Sequence, residues 1–244
     1  MKKNRIVGKT NYEKDFLEKF EMLCVTRSSW QVWADLMSAM ACAISNSLGK
    51  SALHYEEREK EYMECMKRFE YSEIPEQILA IITMAYEENP EQDFLGKMYM
   101  ALNLGNHWKG QFFTPYNISR LMADVQVDSM IEQVNTKGWV SICDPCVGGA
   151  AMLLAAANSL REKGINYQNH ALFVGQDIDR VTAQMAYIQI SLLGCAGYII
   201  VGNSITNPMT GEALFPVENS GQELWLTPMF CSDVWTYRKV FNML

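Results

Sequence analysis

The hydrophobic pattern of the chain changes period near its middle. Over residues 12–24, 28–48, 52–71, 74–88 and 92–104, apolar positions recur every three or four residues, which predicts five helices. Ser28 and Ser72 stand where helix N-caps are expected, and Pro75 and Pro90 suit first turns or breaks. Trp30, Trp33, Met37, Met40 and Ile44 form one apolar stripe, which is read as core. The mixed charges at 56–61 are read as a solvated helix face. From residue 139 the pattern is that of buried strands. Trp139 to Asp144 is apolar and β-branched, turns through Asp144-Pro145 and Gly148-Gly149, and enters a small-residue run, Ala150 to Ala157, that favours helix. Residues 171–179 read as a second buried strand, 197–204 as a third, and 224–226 as a short apolar approach to a fourth. The boundary is placed at 105–110, giving a helical part, 1–105, and an α/β part, 106–244.

A strand, a glycine turn and a helix, in that order, put backbone N–H groups and a helix start at the carboxyl end of a sheet, where open α/β folds bind ligands. Glycine serves there because a Cβ blocks close approach of the backbone. Asp177 falls at the end of the next strand, one β–α–β unit on. An acid in that position either accepts the two hydroxyls of a ribose or caps the following helix. Asp179 is better placed for the capping role.

Composition narrows the classes. A chain of 244 residues, 49% of them hydrophobic, is long enough for a real core. Yet no run reaches the roughly 18 apolar residues of a membrane span. The basic start at Lys2, Lys3 and Arg5 leads into no apolar signal region. Seven scattered cysteines, an odd number, point to reduced thiols and a cytoplasmic protein. Cys143 and Cys146 form a C-x-x-C without a second pair, so both are read as packing residues and no metal is expected. A net charge of −7 without clustered Lys or Arg argues against a protein that grips DNA unaided.

Three segments in order, Gly110-Gln111-Phe112-Phe113-Thr114-Pro115, Asp144-Pro145-Cys146-Val147-Gly148-Gly149 and Gly175-Gln176-Asp177-Ile178-Asp179, resemble the N6-adenine DNA methyltransferases. The nearest branch is the modification subunits of type I restriction systems and their short phage or mobile-element relatives. The likeness runs from about Asp93 to Thr206. It implies an α/β fold, a Rossmann-like S-adenosylmethionine-dependent methyltransferase sheet, here truncated, behind an α-helical N-terminal domain. It also implies S-adenosylmethionine as cofactor, DNA as substrate, and a specificity subunit or homodimer as partner. Carried over residue by residue, Phe113 and Thr114 touch the methionine end of the cofactor. Asp144 and the backbone of Cys146 and Gly148 lie against its methionine portion. Asp177 takes the ribose, Ile178 packs on the adenine, and Asn203, where the family usually has aspartate, accepts from the adenine amino group. Without the resemblance, Thr114 reads as an N-cap, the two phenylalanines as core, and Gly202-Asn203 as a turn.

The sequence departs from the family in two places. Val147 stands where the glycine turn usually has cysteine, and Ala150-Ala151 where it has its last two glycines. Alanine is tolerated there inside a helix and costly at positive φ. The Asn/Asp-Pro-Pro-Tyr/Phe tetrapeptide is missing, although its amide or carboxylate aims the target nitrogen lone pair and its ring stacks the flipped base. Thr227-Pro228-Met229-Phe230 is the nearest substitute, with Thr227 and Pro228 as the orienting pair and Phe230 as the stacking ring. Asn207-Pro208 follows the third strand too closely. The plainer alternative makes Thr227-Pro228 a turn, with Trp225, Phe230 and Trp235 closing the core. Arg238 and Lys239 either touch phosphate or are solvated. Two functions follow: a DNA adenine N6-methyltransferase of restriction-modification type, or a non-catalytic cofactor- or partner-binding module derived from one.

Overall fold

The computed structural model describes residues 11–106 and 113–242. Five helices come first: α1 (Asn11–Leu23), α2 (Ser29–Asn46), α3 (Tyr55–Met66), α4 (Glu73–Glu88) and α5 (Phe94–Ala101). Ser28 caps α2 as expected, in a reciprocal capping box with Gln31. Ser72 occupies the corresponding position of α4 but has helical backbone angles and makes no side-chain cap. Trp33, Met37 and Met40 are buried, whereas Trp30 is 38% exposed and packs edge-on to Tyr99. The charged run at 56–61 is only partly a solvated face. Arg58 is buried over the Trp225 ring at 3.9 Å and donates to the Leu224 carbonyl at 2.6 Å. Glu61 pairs with Arg180 at 2.7 Å.

After these come α6 (Tyr116–Lys137), β1 (Val140–Asp144), α7 (Ala151–Glu162), α8 (Tyr167–His170), β2 (Ala171–Asp177), α9 (Arg180–Leu192), β3 (Ala196–Val201), β4 (Thr210–Glu212), β5 (Phe215–Val217), β6 (Glu223–Leu226) and α10 (Asp233–Asn242). The sheet order is β1-β2-β3-β6, with the first three strands parallel and β6 antiparallel to β3. β4 and β5 form a separate hairpin. The fold is mixed α/β, a small and mostly parallel sheet behind a helical region, consistent with a truncated Rossmann-like methyltransferase fold. One sheet face carries Phe173 and Ile199 into a core that continues without a break through Leu154 and Tyr187 to Phe16, Trp33 and Phe94. The other face, with Leu172, Val174, Tyr198 and Ile200, is covered by Leu214, Phe230 and Trp235. Among the described residues, no helix is long and apolar enough to cross a membrane.

Candidate functional site

Because β1, β2 and β3 run parallel, their carboxyl ends emerge along one rim. There Asp144 accepts from the Cys146 N–H at 3.0 Å, which starts the turn. Val147 donates its N–H to the Gln176 carbonyl at 3.0 Å, fastening the turn to β2. Asp177 then braces the turn from across the rim. Its Oδ2 accepts from the Gly148 N–H and its Oδ1 from the Asp179 N–H, both at 2.9 Å. Burial raises the Asp177 pKa; the two N–H donors lower it, and Asp179 and Asp144 nearby raise it.

Gly148 has φ +53°, and a Cβ there would sit 3.2 Å from the Phe113 ring, which lies over the turn. Phe113 in turn meets Tyr99, with ring centroids 5.1 Å apart. Ala150, one of the two alanines that replace glycine, takes φ +77° at the N-cap of α7 and makes no side-chain cap. It therefore falls at the costly position, whereas Ala151 is already helical.

A network behind the turn has no sequence signature. Buried Gln189 donates from Nε2 to Asp93 Oδ1 at 2.9 Å and to the Gly149 carbonyl at 2.5 Å. Its Oε1 accepts from the Leu95 N–H at 2.8 Å and from the Tyr86 hydroxyl. Asp93 caps α5 through the Gly96 N–H at 2.8 Å; burial raises its pKa, against the donors from Gln189 and Gly96. The helical region is thus tied directly to the glycine turn. A lone glutamine in a helix announces none of this, because its partners lie 40 to 103 residues away.

The remaining rim residues split into two groups. Thr114 is exposed, while Pro115 takes the N-cap position of α6. Thr114, Asp144 and Cys146 border a groove of about 370 Å³ between α6, α7 and the outer side of β1. Asp177, Ile178 and Asn203 do not border it. Ile178 is 65% exposed, just past the end of β2. Asn203 follows β3, where its Oδ1 accepts from the N–H groups of Ile205 and Thr206 at 2.9 and 3.1 Å and forms a turn. Asp179 caps α9 through the Thr182 N–H at 3.0 Å. Gly110, Gln111 and Phe112 of the first motif lie outside the described residues. Cys143 and Cys146 are exposed rather than packed.

Thr227, Pro228 and Phe230 are not brought to this rim. β6 runs against β3, so the residue after it meets the amino end of β3. Thr227 Oγ1 accepts from the Gly197 N–H at 3.0 Å and donates to the Cys195 carbonyl at 2.8 Å. Pro228 opens a 3₁₀ turn, Pro228–Cys231. Phe230 is 1% exposed, packed between Tyr198 and Trp235. The basic pair is committed as well. Arg238 donates to the carbonyls of Gly138 and Asn169, and Lys239 donates to the Phe230 carbonyl above its ring.

A sequence model of the family described as N-6 DNA Methylase matches residues 91–235, more than half of the chain. The matched span includes Asp93, the glycine turn and the whole rim. No curated protein matches the chain. The family is one of adenine-specific DNA methyltransferases that typically use S-adenosylmethionine. On the strength of that match, the chain belongs to the N-6 DNA methylase family.

Proposed function

We propose that the chain binds S-adenosylmethionine at the rim of β1, β2 and β3, as the cofactor-binding part of a DNA adenine N6-methyltransferase. The observation that carries this is Asp177, held at the end of a parallel strand by the Gly148 and Asp179 N–H groups. Each of its oxygens takes one of these bonds and keeps a lone pair for a ribose hydroxyl. Next to it, exposed Ile178 offers an apolar face to the adenine ring. The Oδ1 of Asn203 is spent on its own turn, so its amide Nδ2 serves the adenine as a donor to a ring nitrogen. Asp144 faces the ammonium of the methionine end. The Thr114 hydroxyl and the N–H groups of Cys146 and Gly148, near a helix start without a side-chain cap, suit its carboxylate or the atoms beside it. Phe113, lying over Gly148, limits the depth of the site.

The cofactor, when bound, supplies an electrophilic methyl group on a sulfonium. Moving that methyl to N6 of adenine needs an acceptor that holds the target amino group with its lone pair aimed at the carbon. Thr227, Pro228 and Phe230 are packed at the far end of the strands and do not serve this reading. The chain alone therefore binds cofactor without turnover, and the acceptor comes from outside its own rim. The grip on DNA phosphates comes from outside too, given a net charge of −7 and an Arg238-Lys239 pair already bonded within the protein.

Calorimetry with S-adenosylmethionine, followed by tritiated-methyl transfer to DNA of mixed sequence, tests this. Binding is expected, weakened at least tenfold by Asp177→Ala and by Ile178→Asp, with no label on the DNA. Absence of heat rejects the cofactor site. Label transferred by the chain alone rejects the division of labour.

A further inference from the structure

α6 is apolar on two sides. Ala123, Val127, Met130 and Val134 are buried on one of them. On the other, Ile118, Leu121, Met122 and Val125 follow one another at spacings of three, one and three residues, which places them on a single helix face. They are between 44% and 79% exposed. Met122, at the margin of this stripe, also borders the groove beside β1. Single hydrophobes on a surface need no account, but four on one face form a contiguous patch of the kind that marks an interaction site.

The two ends of the stripe carry opposite charge. Toward the carboxyl end of α6 it continues, at helical spacing, as Asp128 and Glu132, both exposed. Toward the amino end it reaches Pro115, an N-cap without a side-chain bond, and a first turn that holds no acid. The N–H groups of that turn carry the positive end of the helix dipole, with no carboxylate of α6 near them. The face is therefore positive, apolar and negative in order along the helix.

A face of that order is complementary to itself turned end for end. About a two-fold axis between Leu121 and Met122, Ile118 meets Val125 of a second copy and Leu121 meets its Met122. The same rotation sets Asp128 opposite Pro115 of the second copy, where a carboxylate satisfies the uncapped turn. At a shallow crossing of about 20°, contact can run the roughly 20 Å from Pro115 to Asp128. A parallel pair would set each acid against its own copy. An anionic lipid surface would want Lys or Arg where Asp128 and Glu132 stand. We infer that the chain forms a two-fold dimer through α6, packed antiparallel on the stripe from Ile118 to Val125. This goes beyond the proposed cofactor site and does not rest on it.

Sedimentation equilibrium from low to high micromolar concentration should show the mass rising to twice that of the chain. Leu121→Asp with Val125→Asp should hold it at one chain, with the far-ultraviolet circular dichroism unchanged. Asp128→Lys removes no apolar contact, yet should weaken association about tenfold or more, and Asp128→Asn by less. Cross-linking reads the register. An oxidised mixture of Ile118→Cys and Val125→Cys chains should give mixed dimers. Val125→Cys alone should give no more than the unaltered chain, whose exposed Cys143, Cys146 and Cys231 set the background. A single-chain mass at every concentration overturns the inference, as does a dimer that survives Leu121→Asp with Val125→Asp. Cross-linking of Val125→Cys to itself as readily as to Ile118→Cys overturns the antiparallel pairing. Co-sedimentation of the chain with anionic vesicles, lost in Leu121→Asp with Val125→Asp, overturns it too and gives the stripe to a membrane. S-adenosylmethionine calorimetry on Asp128→Lys reads the rim separately, and its heat should match that of the unaltered chain. Absence of heat in both chains counts against the cofactor site and leaves the dimer standing.

Discussion

The two ends of the parallel strands are built on opposite principles. At the carboxyl ends, backbone N–H groups and short polar side chains organise an open rim, and Ile178 and Ile205 stand exposed beside it. At the amino ends, Thr227 spends its hydroxyl on two buried backbone groups, and Phe230 and Trp235 are sealed in. The residues nearest to the family tetrapeptide sit at the closed end. Changes there should act on stability, and changes at the rim on binding.

The sharpest way to break this contrast is Phe230→Ala. Removing a fully buried ring costs about 3–5 kcal/mol, read as a lower midpoint in urea. Cofactor affinity of the fraction still folded should be unchanged. A loss of affinity without a loss of stability would return Phe230 to the site. Thr227→Val comes next. It keeps the shape but strips the Gly197 N–H and the Cys195 carbonyl of their side-chain partner, at about 1–3 kcal/mol, again with binding intact.

The closed end was legible from sequence only as one of two alternatives, a degenerate tetrapeptide or an ordinary turn with Phe230 and Trp235 in the core, and the structure has the turn. The five helices announce themselves through apolar spacing, and Ser28 through its capping box with Gln31. The glycine turn and Asp177 follow from the order of strand, turn and helix. The direction of β6 has no such local mark. Its four residues, Glu223–Leu226, read the same parallel or antiparallel, and only the three-residue strands β4 and β5, too short and too exposed to register as a pattern, turn the chain round. α6 runs on to Lys137 because its buried positions Val127, Met130 and Val134 keep helical spacing under a polar surface. The buried glutamines 176, 184 and 189 could not be read at all, since a glutamine's burial depends on partners elsewhere in the chain.

At the rim, Asp177 gives a pH signature. Burial raises it above the ordinary value of 3.8, so the native state holds its proton more tightly than the unfolded chain. Stability therefore falls as pH rises from 3.8 through the raised value, and Asp177→Asn should remove that slope in thermal midpoints taken between about pH 4 and 7. Asp35 works in the other sense. Burial raises it, but hydrogen bonds from Arg68 and Arg27 prevail and hold it below 3.8. Its contribution is present above 3.8 and is lost as pH falls through the lowered value, so Asp35→Asn should flatten the acid limb instead. The same slope in Asp177→Asn as in the unaltered chain would mean that Asp177 is not the buried brace described.

The smallest effect tests the rim by itself. Ala150 holds φ +77° with its methyl fully buried, at a place where the family usually has glycine. Relieving a left-handed alanine returns roughly 1–2 kcal/mol. Against this stand the extra unfolded-state freedom of glycine, about 0.5–1 kcal/mol, and the packing of one methyl group. With that methyl worth about 0.8 kcal/mol, the terms nearly cancel, and Ala150→Gly should move the midpoint by no more than about 1–2 °C, on the scale of about 2–4 °C per kcal/mol for chains of this size. The sign is what matters. A rise means that strain outweighs the buried methyl and that the turn tolerates alanine at a cost. A fall means that the methyl is part of the packing between the turn and the helices behind it, and that the substitution has been absorbed into the core.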